Sequence, residues 1–480
     1  MVGYSSFLKR WPVVVTAVLI AAFSWYFTWF TFGRHAKTNS GRFDLGNVEQ
    51  TVWNVVHGRG FTMTDPYGIA QVSRLAFHAD VFLILLVPFY ALVQRPETLL
   101  LLQVLTVASG AMAVFLTGKK LLGPAWWGTM FSAIYLLNPG LQWATIFDVH
   151  AVTFATPLVL WAVWLTIEKK YRGALIFMIL AMLTKEEIGL TLVALGIYVW
   201  LAQKQRRWGA VMTLTPAIWS LAMFFVVLPY FHGQTAGEVY RTVFGNGAAS
   251  IINGALTQPL RFFHVLFARQ NLIYGWQLFS ATGLVGIISP WWLAAGPEMV
   301  INGLSLKPAQ HLIISHYTSG ITPWLIVASL AATAWMRKKM SIRFSARLVT
   351  WILVLWLGLT VGYSAWTTGP LPATPNDQTK FVTWRNPYAQ PVREWSKLIP
   401  TAAAVSVTNN VGAHFARRER FYGFPLGIDQ ADYIVVLEDH ATPVVATQAE
   451  VTEKIKDLRS SPQWLVVEYL GDLTVLRRRE

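Results

Sequence analysis

Residues 11–32, WPVVVTAVLIAAFSWYFTWFTF, contain no charged side chain. A helix of about 20 such residues spans the hydrocarbon core of a bilayer, and one apolar on every face has no place on the surface of a soluble fold. Similar runs follow at 97–117, 125–141, 151–167, 173–185, 187–202, 209–231, 272–288, 290–306, 320–336 and 348–366. The pattern predicts an all-α membrane bundle of about eleven transmembrane helices. Composition agrees, with 13% charged residues over 480 positions and a mean hydropathy of +0.43. Soluble proteins carry roughly 25% charge, so a soluble enzyme is excluded. The absence of cysteine excludes disulfides, iron–sulfur clusters and thiolate zinc sites. The first run follows Lys9 and Arg10 as a signal sequence would. It is too long for a signal core and lacks a small-x-small cleavage site, so it is expected to remain as an anchor.

The net charge of +15 does not point to nucleic acid. Residues 367–480 hold 13 Lys+Arg and 13 Asp+Glu, so the whole excess lies in the apolar part, where it marks topology. The run 77–93 complicates that topology, because its apolar core, 81–93, is only 13 residues long. Read as a re-entrant or interfacial segment, it leaves Lys119/Lys120, the 168–172 turn, Lys204/Arg206/Arg207 and the 337–347 cluster all inside. The positive-inside rule prefers this count, with a cytoplasmic N-terminus and residues 367–480 outside. Asp44, Glu49, Asp65, Asp80, Glu97, Asp148, Glu186, Glu187 and Glu238 then gather on the outer side or at its boundary. Glu168 lies inside and Glu298 within a span.

After Trp366 a Pro/Gly/Thr-rich linker, TTGPLPATPNDQ, ends the apolar region. Short β-type runs at 404–408, 433–437, 464–469 and 473–476 alternate with helical stretches near 409–416 and 448–459. Residues 367–480 are therefore expected to form a small α/β extracytoplasmic domain, and residues 1–366 the membrane domain.

The first outer loop, 33–96, is far longer than an ordinary connector. Within it, FDLGNVEQTVWNVVHG has helical periodicity, with Leu45, Val48, Val52, Val55 and Val56 on one face, so a helix lying on the membrane surface is expected. Asp44 opens this helix, either as an N-cap or as a carboxylate fixed at the lipid–water boundary to serve as a general base. Asp148 and His150, two residues apart in FDVH, are either a cap with an interfacial histidine or chemical groups. With Asp44, or with His78 and Asp80, they could form an oxygen/nitrogen site for a divalent cation, Mg or Mn. Lys185-Glu186-Glu187 interrupts 173–202. On helices so short, a tip would lie below the membrane surface, so these side chains are expected to face a hydrated cavity rather than headgroups. Glu298 follows the helix breaker Gly296-Pro297. Lys307, His311, His316 and Tyr317 come next and offer charge-assisted bonds to a phosphate, or else form an interfacial belt. Trp25, Tyr26, Trp29, Trp126, Trp127, Trp291 and Trp292 read as belt residues.

The segments FDLGNVEQTVWNVVHGRGF, RLAFHADVFLILLVPFYAL, FDVH, TKEEIGL and HYTSGITPWL occur in this order, with VSVTNNVGAHFARRERFYGFP further on. Together they resemble a family of prokaryotic multi-pass membrane proteins known only as a domain of unknown function, within the GT-C glycosyltransferase superfamily. The resemblance implies a GT-C-like helix bundle, a long first outer loop with surface helices, and an outer soluble domain. It further implies a polyprenyl-phosphate sugar as donor and an essential acid in the first loop, here Asp44. The second acidic position corresponds to Asp148. Many GT-C enzymes carry an Asp-x-Asp or Glu-x-Asp pair there, and this chain departs from that pattern with Asp148-Val149-His150.

The resulting expectation is a plasma-membrane glycosyltransferase of a prokaryote, working on the outer face, with Asp44 and Asp148 as catalytic acids. His78, Asp80, Glu186, Lys307, His316 and Tyr317 would line the substrate cavity, and Asp148 with His150 would hold any metal. The partners would be a polyprenyl-phosphate-linked sugar and membrane lipid, with no nucleic acid. The rival class is a polytopic transporter or lipid flippase, which also explains buried carboxylates. Transporters commonly show two related halves, and none are visible here.

Overall fold

The computed structural model describes residues 2–232, 240–439, 441 and 443–479, with the side chains of 2–10 and 232 excepted. Glu238 therefore lies outside the described residues. Among these, four helices are long and apolar enough to cross a membrane by length and composition: Trp11–Ala36, Pro96–Leu122, Arg206–Phe231 and Ala346–Thr368. Several other apolar runs are broken rather than continuous. Residues 125–141 divide into Ala125–Leu136 and Pro139–Ile146, where Asn138 caps the second helix by accepting the Leu141 N–H at 3.1 Å. Residues 272–288 stop as a helix at Ser280. Gly283 (φ 88°) and Leu284 (φ 63°) then turn the chain into a 3-10 turn, Val285–Ile288. Periodicity could not show these breaks, because an apolar run reads alike whether straight or kinked.

Small residues bring the helices together. Ile188–Leu201 and Arg206–Ala222 pack so closely that a Cβ on Gly196 would collide with the Thr213 backbone. Between helices in lipid such close approach replaces the hydrophobic driving force. Trp127 is fully buried and stacks on Trp126 at 4.3 Å, so it belongs to the bundle core and not to a belt.

Segment 77–93 folds as a 3-10 turn, Val81–Leu86, and a short helix, Val87–Leu92. Its start places His78 beside Asp44, and at its end the Gln94 carbonyl accepts from Arg417 Nη1 at 3.0 Å. Phe43 in turn donates its N–H to Asn409 Oδ1 at 2.9 Å. Both ends thus lie on the side that carries the C-terminal domain, and the segment does not traverse the bundle.

The C-terminal sheet has five strands in the order Phe421–Gly423, Val405–Val407, Tyr433–Leu437, Leu473–Arg478, Trp464–Leu470. The first three run parallel and the last two pair antiparallel. Val405 and Val435 face one apolar cluster, Ile434 and Val436 another, as expected of central strands covered on both faces. The helix Gln448–Ser460 covers the second cluster and opens with a capping box between Thr447 and Glu450. Three elements of this region escaped the sequence reading, the three-residue strand Phe421–Gly423 and the helices Lys380–Thr383 and Ala389–Leu398. The first is too short to show alternation. Residues 409–416, expected as a helix, form one helical turn and a 3-10 turn.

This domain is seated on the first loop by buried polar contacts. Arg42, 3% exposed, donates from Nη2 to the Phe421 carbonyl at 2.7 Å and lies over the Phe421 ring. Gln50 donates to the carbonyls of Arg418 and Glu419. Each satisfies a backbone group that burial would otherwise leave without water.

Candidate active site beneath the C-terminal sheet

The chain enters the surface helix Asn47–Val56 through a π-helical turn, Arg42–Gly46. Asp44 sits inside this turn, with Gly41 at the cap position and no side-chain capping bond. The capping reading of Asp44 therefore fails, and its carboxylate is turned instead toward open space. Two cavities meet at it. The larger, about 730 Å³, runs under the sheet domain past Arg34, Asp148, Lys380, Trp384 and Asn409. The smaller, about 130 Å³, is lined by Arg74, His78, His150, Lys307, His316 and Tyr317. Asp44 Oδ1 stands 3.3 Å from His150 Nε2.

The FDVH turn is held by one glutamine of the helix Pro96–Leu122. Gln103 donates to the Asp148 carbonyl at 2.9 Å and accepts the His150 N–H at 3.0 Å. Asp148 has φ 87°, a backbone state that non-glycine residues hold only when their surroundings enforce it. Its Oδ2 accepts the Gly41 N–H at 2.9 Å and its Oδ1 faces Arg34 at 3.5 Å. Burial pushes the Asp148 carboxyl above its ordinary range, while Arg34 pulls it back and the charge of Asp44 raises it further. Asp148 thus ties the long first loop to the bundle one residue before the π-helical turn.

His150 stacks on His316 with centroids 3.7 Å apart. Burial, then the nearby cationic side chains, hold His316 well below the usual histidine range, so it is a neutral imidazole at neutral pH. Its Nδ1 has no hydrogen-bond partner among the described residues. His78 Nδ1 lies 3.0 Å from Glu186 Oε1, and Glu186 Oε2 accepts the Ala79 N–H at 2.9 Å.

Of the residues expected to line a substrate cavity, the structure brings His78, Lys307, His316 and Tyr317 together with Asp44. Two others take different positions. Asp80 is consumed by Arg74, whose Nε and Nη2 reach Asp80 Oδ2 at 2.9 and 2.6 Å. Glu186 is fully buried behind His78 and lines neither cavity. Both orient a cavity-lining cation or imidazole instead of facing the space themselves. Lys185, Glu186 and Glu187 line neither of the two cavities that meet at Asp44. They are buried, with Lys185 Nζ 2.5 Å from Glu187 Oε1.

The residues do not fit a divalent cation. Asp148 is engaged by an N–H and a guanidinium, His150 points at Asp44 and His316, and no cluster of three suitable donors occurs among the described residues. Arg34, Gln103 and Asn409 contribute to the site without having been singled out in the sequence. Only the polar Asn409-Asn410 pair after a buried strand offered a signal.

A helix bundle with a long first loop, a carboxylate in that loop and a small sheet domain over it defines the class, a membrane protein whose apolar bundle carries a C-terminal α/β domain. The crystal structure of ArnT from Cupriavidus metallidurans bound to undecaprenyl phosphate matches over 98% of both chains, with a TM-score of 0.52 and 12% identity. The apo form of ArnT from the same organism covers 98% of both chains with a TM-score of 0.48 and 10% identity. Residues 34–470 match the family described as predicted membrane protein (DUF2079), and the chain belongs to that family. None of the curated proteins matches it.

Proposed function

We propose that this chain is a membrane glycosyltransferase that moves a sugar from a polyprenyl-phosphate donor to an acceptor hydroxyl. The observation that carries the reading is the position of Asp44, a partly exposed carboxylate where a large cavity meets a small one walled by Lys307, Arg74, His78 and His316. The fold shared with a structure that holds undecaprenyl phosphate supports the lipid donor. Asp44 takes the acceptor proton as the oxygen attacks the anomeric carbon. The anomeric C–O bond then breaks, and negative charge grows on the departing phosphate. Lys307 and Arg74 face that charge as cations, while neutral His316 can donate one N–H. Glu186 fixes the tautomer of His78, and Asp80 fixes the guanidinium plane of Arg74, so both donors are set before the donor lipid arrives. Asp148 holds the loop that carries the base, which makes it a positioning residue in this reading. The site would face the outside of a prokaryotic plasma membrane, with the donor entering from the bilayer and the acceptor through the larger cavity.

Asp44→Asn tests the proposal without disturbing a cap, since Asp44 caps nothing. Release of polyprenyl phosphate from a panel of polyprenyl-phosphate sugars should fall by roughly 10²–10⁴-fold, the usual range for loss of a general base. Unchanged release by a folded Asp44→Asn protein overturns the assignment.

A further inference from the structure

A third cavity, about 410 Å³, lies apart from the two that meet at Asp44 and shares no lining residue with them. It is lined by residues from the end of the helix Val2–Ala36, from the start of Pro96–Leu122 and from the helix Ala389–Leu398 of the C-terminal domain. Four cationic side chains line it, Arg95, Arg393, Lys397 and Arg417, against one carboxylate, Glu97. No ion pair engages Arg95, Arg393 or Lys397 among the described residues, and Arg417 only approaches the buried Glu49 at 3.9 Å. Arg393 Nη1 donates a long bond to the Ala36 carbonyl at 3.5 Å. Like charges gathered this way repel one another, and Glu97 is the single carboxylate set against the four of them in the cavity wall.

A second observation points to a ligand. His35 at the rim is 3% exposed, its ring stacked on His414 at 4.2 Å, and its Nδ1 is buried without a hydrogen-bond partner among the described residues. A buried polar atom left unmatched beside a polar cavity marks a missing acceptor or donor. The position is also specific, because two of the four membrane-length helices have an end here, and the ends of helices of that length fall near lipid headgroups.

We infer that this cavity is an anion site that takes a phosphate group, with Arg95, Arg393, Lys397 and Arg417 as its cationic wall. Guanidinium groups match phosphate oxygens in geometry as well as charge, and a lysine adds a mobile point charge. Such a ligand would join the ends of two bundle helices to the C-terminal domain, since Arg393, Lys397 and Arg417 come from that domain and Arg95 from the bundle. The phosphate can belong to an anionic lipid headgroup or arrive as a free anion.

The test uses the full chain in detergent micelles. The probes are dihexanoyl phosphatidylglycerol, dihexanoyl phosphatidylcholine and inorganic phosphate, with binding read by titration. The variants are Arg95→Gln with Lys397→Gln, both exposed, and Lys454→Gln with Lys456→Gln on the helix Gln448–Ser460 as a matched loss of charge elsewhere. The site predicts that phosphatidylglycerol binds, that phosphatidylcholine does not, and that the first pair weakens binding by at least about tenfold while the second pair leaves it unchanged. Inorganic phosphate showing the same sensitivity assigns the site to the free anion. Phosphatidylglycerol alone doing so assigns it to a headgroup. Binding that neither pair alters, or that both alter equally, overturns the site. The readout is binding, so it stands or falls apart from any transfer activity at Asp44.

Discussion

Glu49 offers a quantitative test of the loop that carries the site. It lies in the helix Asn47–Val56 and is 1% exposed, accepting from the Tyr90 hydroxyl at 2.8 Å. Burial pushes its carboxyl from 4.5 to about 7, against the opposing pull of Arg417 and the Tyr90 bond. The folded chain therefore binds this proton more tightly than the unfolded chain. Between the two values the native state holds more protons, so stability falls as pH rises through that window and the loss is complete above it. At about 1.36 kcal/mol per pH unit the loss amounts to roughly 3 kcal/mol by pH 8 and less than about 1 kcal/mol at pH 5. Glu49→Gln removes the charge and keeps an acceptor for Tyr90. In detergent, its unfolding temperature followed by tryptophan fluorescence should exceed that of the parent by several degrees at pH 8 and nearly match it at pH 5. A Glu49→Gln protein that is less stable than the parent at pH 8 refutes the reasoning, because it would mean that attraction to Arg417 outweighs burial.

Arg42→Ala removes the bond to Phe421 and leaves a buried carbonyl unpaired, at about 1–3 kcal/mol. Faster amide exchange in Phe421–Gly423, with the bundle helices unchanged, is the expected signature. Gly320→Ala places a Cβ against the Glu298 carboxylate and Ile188, and overpacking of this kind destabilises by about 1–3 kcal/mol. Adding Glu298→Ala should recover part of the lost unfolding temperature, and no recovery would show that the collision lies elsewhere. For topology, a cysteine introduced at Thr374 should react with an impermeant reagent from outside, and one at Ser341 should not. The reverse pattern inverts the orientation of the whole site.

Much of the site was legible in the sequence, for a physical reason. Ionisable residues are rare in apolar surroundings because burying an unpaired charge is expensive, so each one that persists needs an explanation. Asp44, Asp148, His78, Lys307 and His316 were found in that way. The roles of Asp80 and Glu186 were not, because the same cost is met equally well by a partner in the protein. Arg74 lies six residues from Asp80, whereas Glu186 lies more than 100 residues from His78, and no local pattern records that second pairing.

The sequence by itself determined the membrane class, the small C-terminal α/β fold and the residues rich in chemistry, because hydropathy, strand alternation and charge are local properties. Only the tertiary structure decided where those residues point. Asp44 caps nothing because the chain enters its helix through a π-helical turn held by Asp148, Asn409 and Phe421, all of them distant from it in the chain. The cationic cavity at His35 is assembled from the bundle and the C-terminal domain together, with His414 stacked on that ring. Contacts between such distant residues arise when the domain closes over the bundle, and their energies depend on burial that no single segment possesses alone.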